Sequence, residues 1–207
     1  MNFNCNCRYC QEISYVWEFN KKIVWVEIPK NATCYLKTFL FKFENDQWQN
    51  NSPQPFSLIK SIKKYQISNY KRGLLILRNP IDRFKSLISH YFIDGSKVHQ
   101  GGKEWLNKYS NQYTSYNDVV DIVLNNWDKV SLLYQPHHWN TQNSFIPDNF
   151  FNLSNHILTL EELPLFFSIP PVNISSSNKV FLSKNHINKL EKLYYDDFVL
   201  YDNYIGF

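Results

Sequence analysis

Twice in this chain a short, nearly continuous apolar run leads at once into a proline-bearing turn and then into a helical pattern. The first run is KKIVWVEI (21–28); IPKNATC (28–34) follows, and from Ala32 the residues Leu36, Phe39, Leu40 and Phe43 recur at helical spacing. The second is GLLILR (73–78), stopped by Asn79-Pro80 and followed by IDRFKSLISHYF (81–92). An apolar run without polar alternation suits a strand buried on both faces, as in a parallel sheet covered by helices. Pro80 fits the first turn of a helix, where the N–H that it lacks would have no intrahelical acceptor. HILTLEEL (156–163) reads as a third strand with a helix start, YNDVVDIVLNN (116–126) as a helix, and HINKLEKLYYDDFVLYDNY (186–204) as a closing helix. Strands alternating with helices predict an α/β fold: a single-domain three-layer sandwich around a central parallel sheet.

The segments between these elements read as loops. ENDQWQNNSPQPFS (44–57) and PPVNISSSNK (170–179) are polar and broken by proline and asparagine. DGSKVHQGGKEW (94–105) holds three of the five glycines and is expected to be mobile. LYQPHHWNTQNSFIPDN (133–149) is irregular and rich in side chains that can bond a ligand. Residues 1–20 form a cysteine-containing extension on this reading, and 21–207 the domain.

Composition narrows the classes of function. The 207 residues, 43% of them hydrophobic, suffice for one domain with a sizeable core. No apolar run approaches the ~18 residues of a membrane span, and MNFNCNCRYCQE lacks the basic-then-apolar pattern of a signal peptide. A cytoplasmic protein without a membrane span is expected. A net charge of +4 is too small to argue for a nucleic-acid partner. Cys5, Cys7 and Cys10 would need a fourth ligand from elsewhere to hold zinc, so the reading is a reduced terminus and no metal. Glycosylation sequons at Asn31, Asn152 and Asn173 are what chance supplies in a chain with 25 asparagines.

Ligands of parallel α/β sheets bind beyond the carboxyl ends of the strands, where helix N-termini gather. In the first turn, backbone N–H groups can wrap an anion and Lys30 adds a point charge. In the second, Arg78 leaves the strand with a guanidinium that grips a phosphate through two nitrogens, and Ser86 follows two helical turns on. Neither turn carries G-x4-G-K-[ST], so a magnesium-dependent ATPase or GTPase is not expected.

At these residues the chain resembles a known family. IPKNATCYLK is similar to the 5′-phosphosulfate loop of the sulfotransferases, whose carbohydrate branch, of the chondroitin type, reads P-K-x-x-C-T-[ST]-W-K. LRNPIDRFKSLISHYF resembles that branch's 3′-phosphate element, R-[DN]-P-[FY]-x-R-[FL]-x-S-x-[FY], and HWNTQ (138–142) its H-W-x-P-Q. ILTLEEL (157–163), PPVNISSSNK and YYDDFVLYDNY (194–204) resemble its E-[DE]-L, P-x-x-N-x-S and Y-x-x-D-F-x-x-[FY]-x-Y, so the likeness runs in order from about residue 23 to 204.

The resemblance implies a P-loop-like sulfotransferase fold and 3′-phosphoadenosine 5′-phosphosulfate (PAPS) as sulfate donor, with no metal required. By position, Lys30, Asn31, Ala32, Thr33, Cys34 and Tyr35 would hold the 5′-phosphosulfate, and Arg78 and Ser86 the 3′-phosphate. Cys34-Tyr35 stand where the family carries Thr-[Ser/Thr], and Leu36 where it carries tryptophan.

Sulfuryl transfer asks for in-line attack and for a charge opposite the leaving phosphate oxygen, a task that suits Lys30. A hydroxyl acceptor also asks for a base, and histidine, with an ordinary pKa near 6.5, is largely neutral at pH 7. The candidates are His90, His99, His137, His138, Glu27 and Glu161; His138 is chosen because it alone sits in a motif-like segment, with His137 and Glu161 next. His137 and Gln142, in the aromatic and amide-rich stretch 134–145, are assigned to the acceptor. That stretch favours a carbohydrate, and a phenol, small alcohol or protein tyrosine stays open. Two rivals stand beside this reading: a non-catalytic module binding a nucleotide or sulfated ligand, and a nucleotide kinase, which the missing Walker signature disfavours.

Overall fold

The computed structural model describes residues 15–19, 22–31, 36, 59–92, 97–110, 115–133, 136–167 and 180–205. The helix from Ala32 (Leu36 excepted, which is helical and buried), the loops 44–57 and 170–179, and all four cysteines lie outside the described residues. The protein is mixed α/β. The chain divides into two compact units. One comprises Glu12–Arg78 and Gln142–Val172; the other comprises Met1–Gln11, Asn79–Thr141 and Asn173–Phe207. Two of the boundaries, after Arg78 and after Thr141, fall between described residues.

The first unit holds a sheet of five strands: β1 (Val16–Phe19), β2 (Ile23–Val26), β3 (Ile59–Ser61), β4 (Arg72–Leu77) and β5 (Ser154–Thr159), in the order β3-β1-β2-β4-β5. The three expected strands are present, and β2–β4 and β4–β5 are parallel pairs. The sheet as a whole corrects the expectation of a parallel one. β1 pairs antiparallel with both β2 and β3, which makes the sheet mixed and draws part of the supposed N-terminal extension into it. Four and three residues are too few for an alternation pattern to show, and the β1–β3 register is set by pairing across some forty residues of chain. Trp25, Leu36, Leu74, Ile76 and Leu163 form this unit's apolar cluster, Leu163 opening the short helix α4 (Leu163–Phe167).

The second unit is helical, with α1 (Pro80–Phe92), α2 (Lys97–Tyr109), α3 (Tyr116–Asn125), α5 (Lys184–Leu193) and α6 (Tyr195–Ile205). Asn79 caps α1, its side-chain oxygen accepting from Ile81 N (2.9 Å), with Pro80 at the first helical position as expected. The Ser115 hydroxyl accepts from Asp118 N (3.2 Å) while the Asp118 carboxylate accepts from Ser115 N (2.8 Å), which starts α3. The closing helix is two helices, broken at Tyr194.

Much of the stretch expected to be mobile is α2, and a glycine in it serves packing. A Cβ on Gly102 would lie 2.1 Å from the Tyr91 carbonyl oxygen, so only glycine lets α2 approach α1 this closely. The helical core gathers Phe84, Leu87, Ile88 and Tyr91 of α1 with Trp105, Val120, Val123, Trp127 and Trp139. Trp139 is its hub, packing on Tyr91, Trp127 and Phe84 at ring separations of 5.2, 5.9 and 6.1 Å.

Candidate functional site

β2 ends at Val26, and Glu27, Ile28 and Pro29 beyond it are buried. The Asn31 N–H then donates to Ile28 O (3.1 Å), closing a four-residue turn with Pro29 and Lys30 at its centre. Lys30 has φ of 71°, the one positive value at a non-glycine position among the described residues. Proline at the second position and positive φ at the third are the marks of a type II turn, whose third position favours glycine. A lysine accepts the left-handed backbone at a cost, and such outliers cluster at functional sites.

The end of β4 holds that strained residue. Arg78 Nη1 donates to Lys30 O (2.9 Å), so the guanidinium expected to grip a phosphate also braces the neighbouring turn. Gln142, fully buried, joins the same group. Its Oε1 accepts from Asn31 Nδ2 (2.6 Å) and Arg78 N (3.1 Å), and its Nε2 donates to Arg78 O (2.8 Å). Asn31, also buried, donates to Ile76 O (2.8 Å). Within the sheet unit the structure thus brings together Lys30, Asn31, Arg78 and Gln142. Glu27, weighed as a base, accepts a hydrogen bond from Trp17 Nε1. Glu161 is exposed on the turn after β5.

The helical unit carries the remaining candidates. Ser86 is buried on α1. His137 and His138 lie on a single helical turn, Pro136–Trp139, whose position is set by Arg83. The Arg83 guanidinium is almost wholly buried (1% exposed) and donates to His138 O (2.8 Å) and Asn140 O (2.9 Å). It also stands 3.9 Å from the buried Asp197 carboxylate of α6. Tyr194, its hydroxyl pushed well above the ordinary tyrosine pKa by burial, donates to Trp139 O (3.1 Å). The likeness in α1 and the one in the C-terminal segment therefore converge on one turn.

The His138 ring is half-buried, with Nδ1 3.3 Å from the Tyr91 hydroxyl. The His137 ring packs against it edge to face at 4.5 Å, and the His90 ring lies 6.2 Å away. Burial lowers the His137 pKa to about 4, so His137 is neutral at pH 7. His99 lies in the first turn of α2.

Ala32, Thr33, Cys34 and Tyr35 lie outside the described residues. Sequence reasoning gave no role to Arg83 or Tyr91. The acceptors of Arg83 lie more than 50 residues away in the chain, beyond the reach of local sequence patterns. Among the described residues no group of three or more His, Cys, Asp or Glu side chains is arranged to hold a metal ion, and no helix is long and apolar enough to cross a membrane. Compared with models of known families, with curated proteins and with solved structures, the chain finds no match.

Proposed function

We propose that the chain is a sulfotransferase of P-loop-like fold that moves the sulfuryl group of PAPS to a hydroxyl, most favourably that of a carbohydrate. The observation that carries the reading is Lys30. It occupies a backbone position that favours glycine, at the carboxyl end of a parallel strand, with its carbonyl braced by an arginine from the end of the next strand. Strained backbone of this kind clusters at functional sites, which supports a role for the lysine side chain. The order of the sequence likenesses supplies the specific chemistry.

On this reading Lys30 neutralises charge on the phosphate oxygen from which the sulfuryl group departs, and Arg78 and Ser86 hold the 3′-phosphate. His138 takes the proton of the attacking hydroxyl at Nε2. For that nitrogen to carry the lone pair, Nδ1 must keep its hydrogen and donate to the Tyr91 hydroxyl oxygen, an arrangement that their 3.3 Å separation allows. The acceptor oxygen gains the bond to sulfur as the bridging oxygen loses it, and 3′-phosphoadenosine 5′-phosphate leaves.

The test is incubation with sulfur-labelled PAPS and a panel of glycans, with and without EDTA, beside a titration with 3′-phosphoadenosine 5′-phosphate. Label on a glycan that survives EDTA is the expected result. Binding without transfer would make the protein a non-catalytic module. Transfer lost to EDTA and restored by magnesium would point to kinase-like chemistry, and no binding at all would end the reading.

A further inference from the structure

We infer that Gln142 is a positioning residue that fixes the spacing between the two phosphate-holding turns, instead of contacting the acceptor. The inference rests on the proposed function. Its observation is that one fully buried amide serves both turns, accepting from the side chain of Asn31 and pairing with both the N–H and the C=O of Arg78. An amide is the side chain that offers an acceptor with two lone pairs and a donor at one end, which these three bonds require. Toward Arg78 it behaves as a peptide group in the next strand would, continuing the pairing of β4 by one residue past Leu77. Toward Asn31 it holds the residue that closes the Lys30 turn. With its oxygen and one amide hydrogen engaged inside the protein and no surface exposed, Gln142 has little left to offer a sugar.

The consequence concerns a substrate with two phosphates. Each turn can hold one phosphate by itself, but a nucleotide bearing both gains only if the turns keep a fixed spacing, because the second contact then forms at high effective concentration. Loosening the spacing weakens a doubly phosphorylated nucleotide more than a singly phosphorylated one.

The experiment compares calorimetric affinities of the parent, Gln142→Leu and Asn31→Ala for 3′-phosphoadenosine 5′-phosphate and for adenosine 5′-phosphate, with a thermal melt of each variant. We expect Gln142→Leu to lose at least tenfold more affinity for the bisphosphate than for the monophosphate. Equal losses for both nucleotides would reduce Gln142 to a stabilising residue and overturn the inference. So would an unchanged bisphosphate affinity with a raised KM for the acceptor. If Gln142→Leu does not fold, Asn31→Ala, which cuts the same link from the other end, decides by the same ratio. A parent that binds neither nucleotide would sink the proposed function, and this inference with it; a binding parent with an unaltered ratio in the variants would sink this inference alone.

Discussion

Two substitutions at Lys30 separate what its backbone costs from what its side chain supplies. An L-residue in the left-handed region is disfavoured by about 1–2 kcal/mol, and glycine escapes that term. Glycine also makes the unfolded chain freer, which returns roughly 0.4–1 kcal/mol. At φ of 71° the balance makes Lys30→Gly more stable than Lys30→Ala by about 1 kcal/mol, since both lack the lysine side chain and only one keeps the strain. Urea unfolding reads this as a higher midpoint at unchanged slope. Under the proposed function both variants lose turnover by ~10²–10³, the range for removal of one pre-placed group facing developing charge. An alanine variant as stable as the glycine one would refute the strained turn. A glycine variant with parental turnover would refute the role of the ammonium.

Three further outcomes are expected. Arg83→Met should cost about 3–5 kcal/mol in urea unfolding, because it leaves the buried Asp197 carboxylate without its cation and takes the donor from two carbonyls, while adding Asp197→Asn should recover part of the loss; a cost under about 1 kcal/mol would contradict the buried ion pair. His137 has a folded pKa near 4, below the ordinary 6.5, so its contribution is complete above about pH 6.5 and fades as the pH falls toward 4. That contribution amounts to roughly 3 kcal/mol at 1.36 kcal/mol per pH unit, and a His137→Gln variant should show a correspondingly flatter stability profile between pH 7 and 4. His138→Ala should keep nucleotide affinity while turnover drops by ~10²–10⁴ and the acidic limb of the rate profile disappears; near-parental turnover would pass the role of base to another group.

What could be read from the sequence was local. The runs at 23–26 and 73–77 are apolar without alternation, and both lie in interior strands that pair in parallel with each other. Asn79-Pro80 marked the start of α1 because capping chemistry acts within three residues. The short strands β1 and β3 were missed, since their pairing joins segments some forty residues apart, and α2 was masked by a glycine pair that reads as flexibility until the Tyr91 carbonyl is seen against Gly102.

The same division runs through the candidate site. Lys30 and Arg78 were legible because charged residues at strand ends announce themselves in one dimension. That Lys30 bends backward through a left-handed φ, that Arg78 spends a nitrogen on its carbonyl, and that Gln142 is buried between the two turns are properties of the folded chain. Arg83 was given no role from the sequence, and became the anchor of the His138 turn only once α1, the turn and α6 were packed together. By itself the sequence determined which residue types stand at the ends of the strands, because propensity and periodicity act over a few residues. Tertiary structure alone decided which of those side chains reach outward and which are consumed in holding the turns, because a buried polar group bonds to whatever the fold brings within about 3 Å, however far away in the chain it lies.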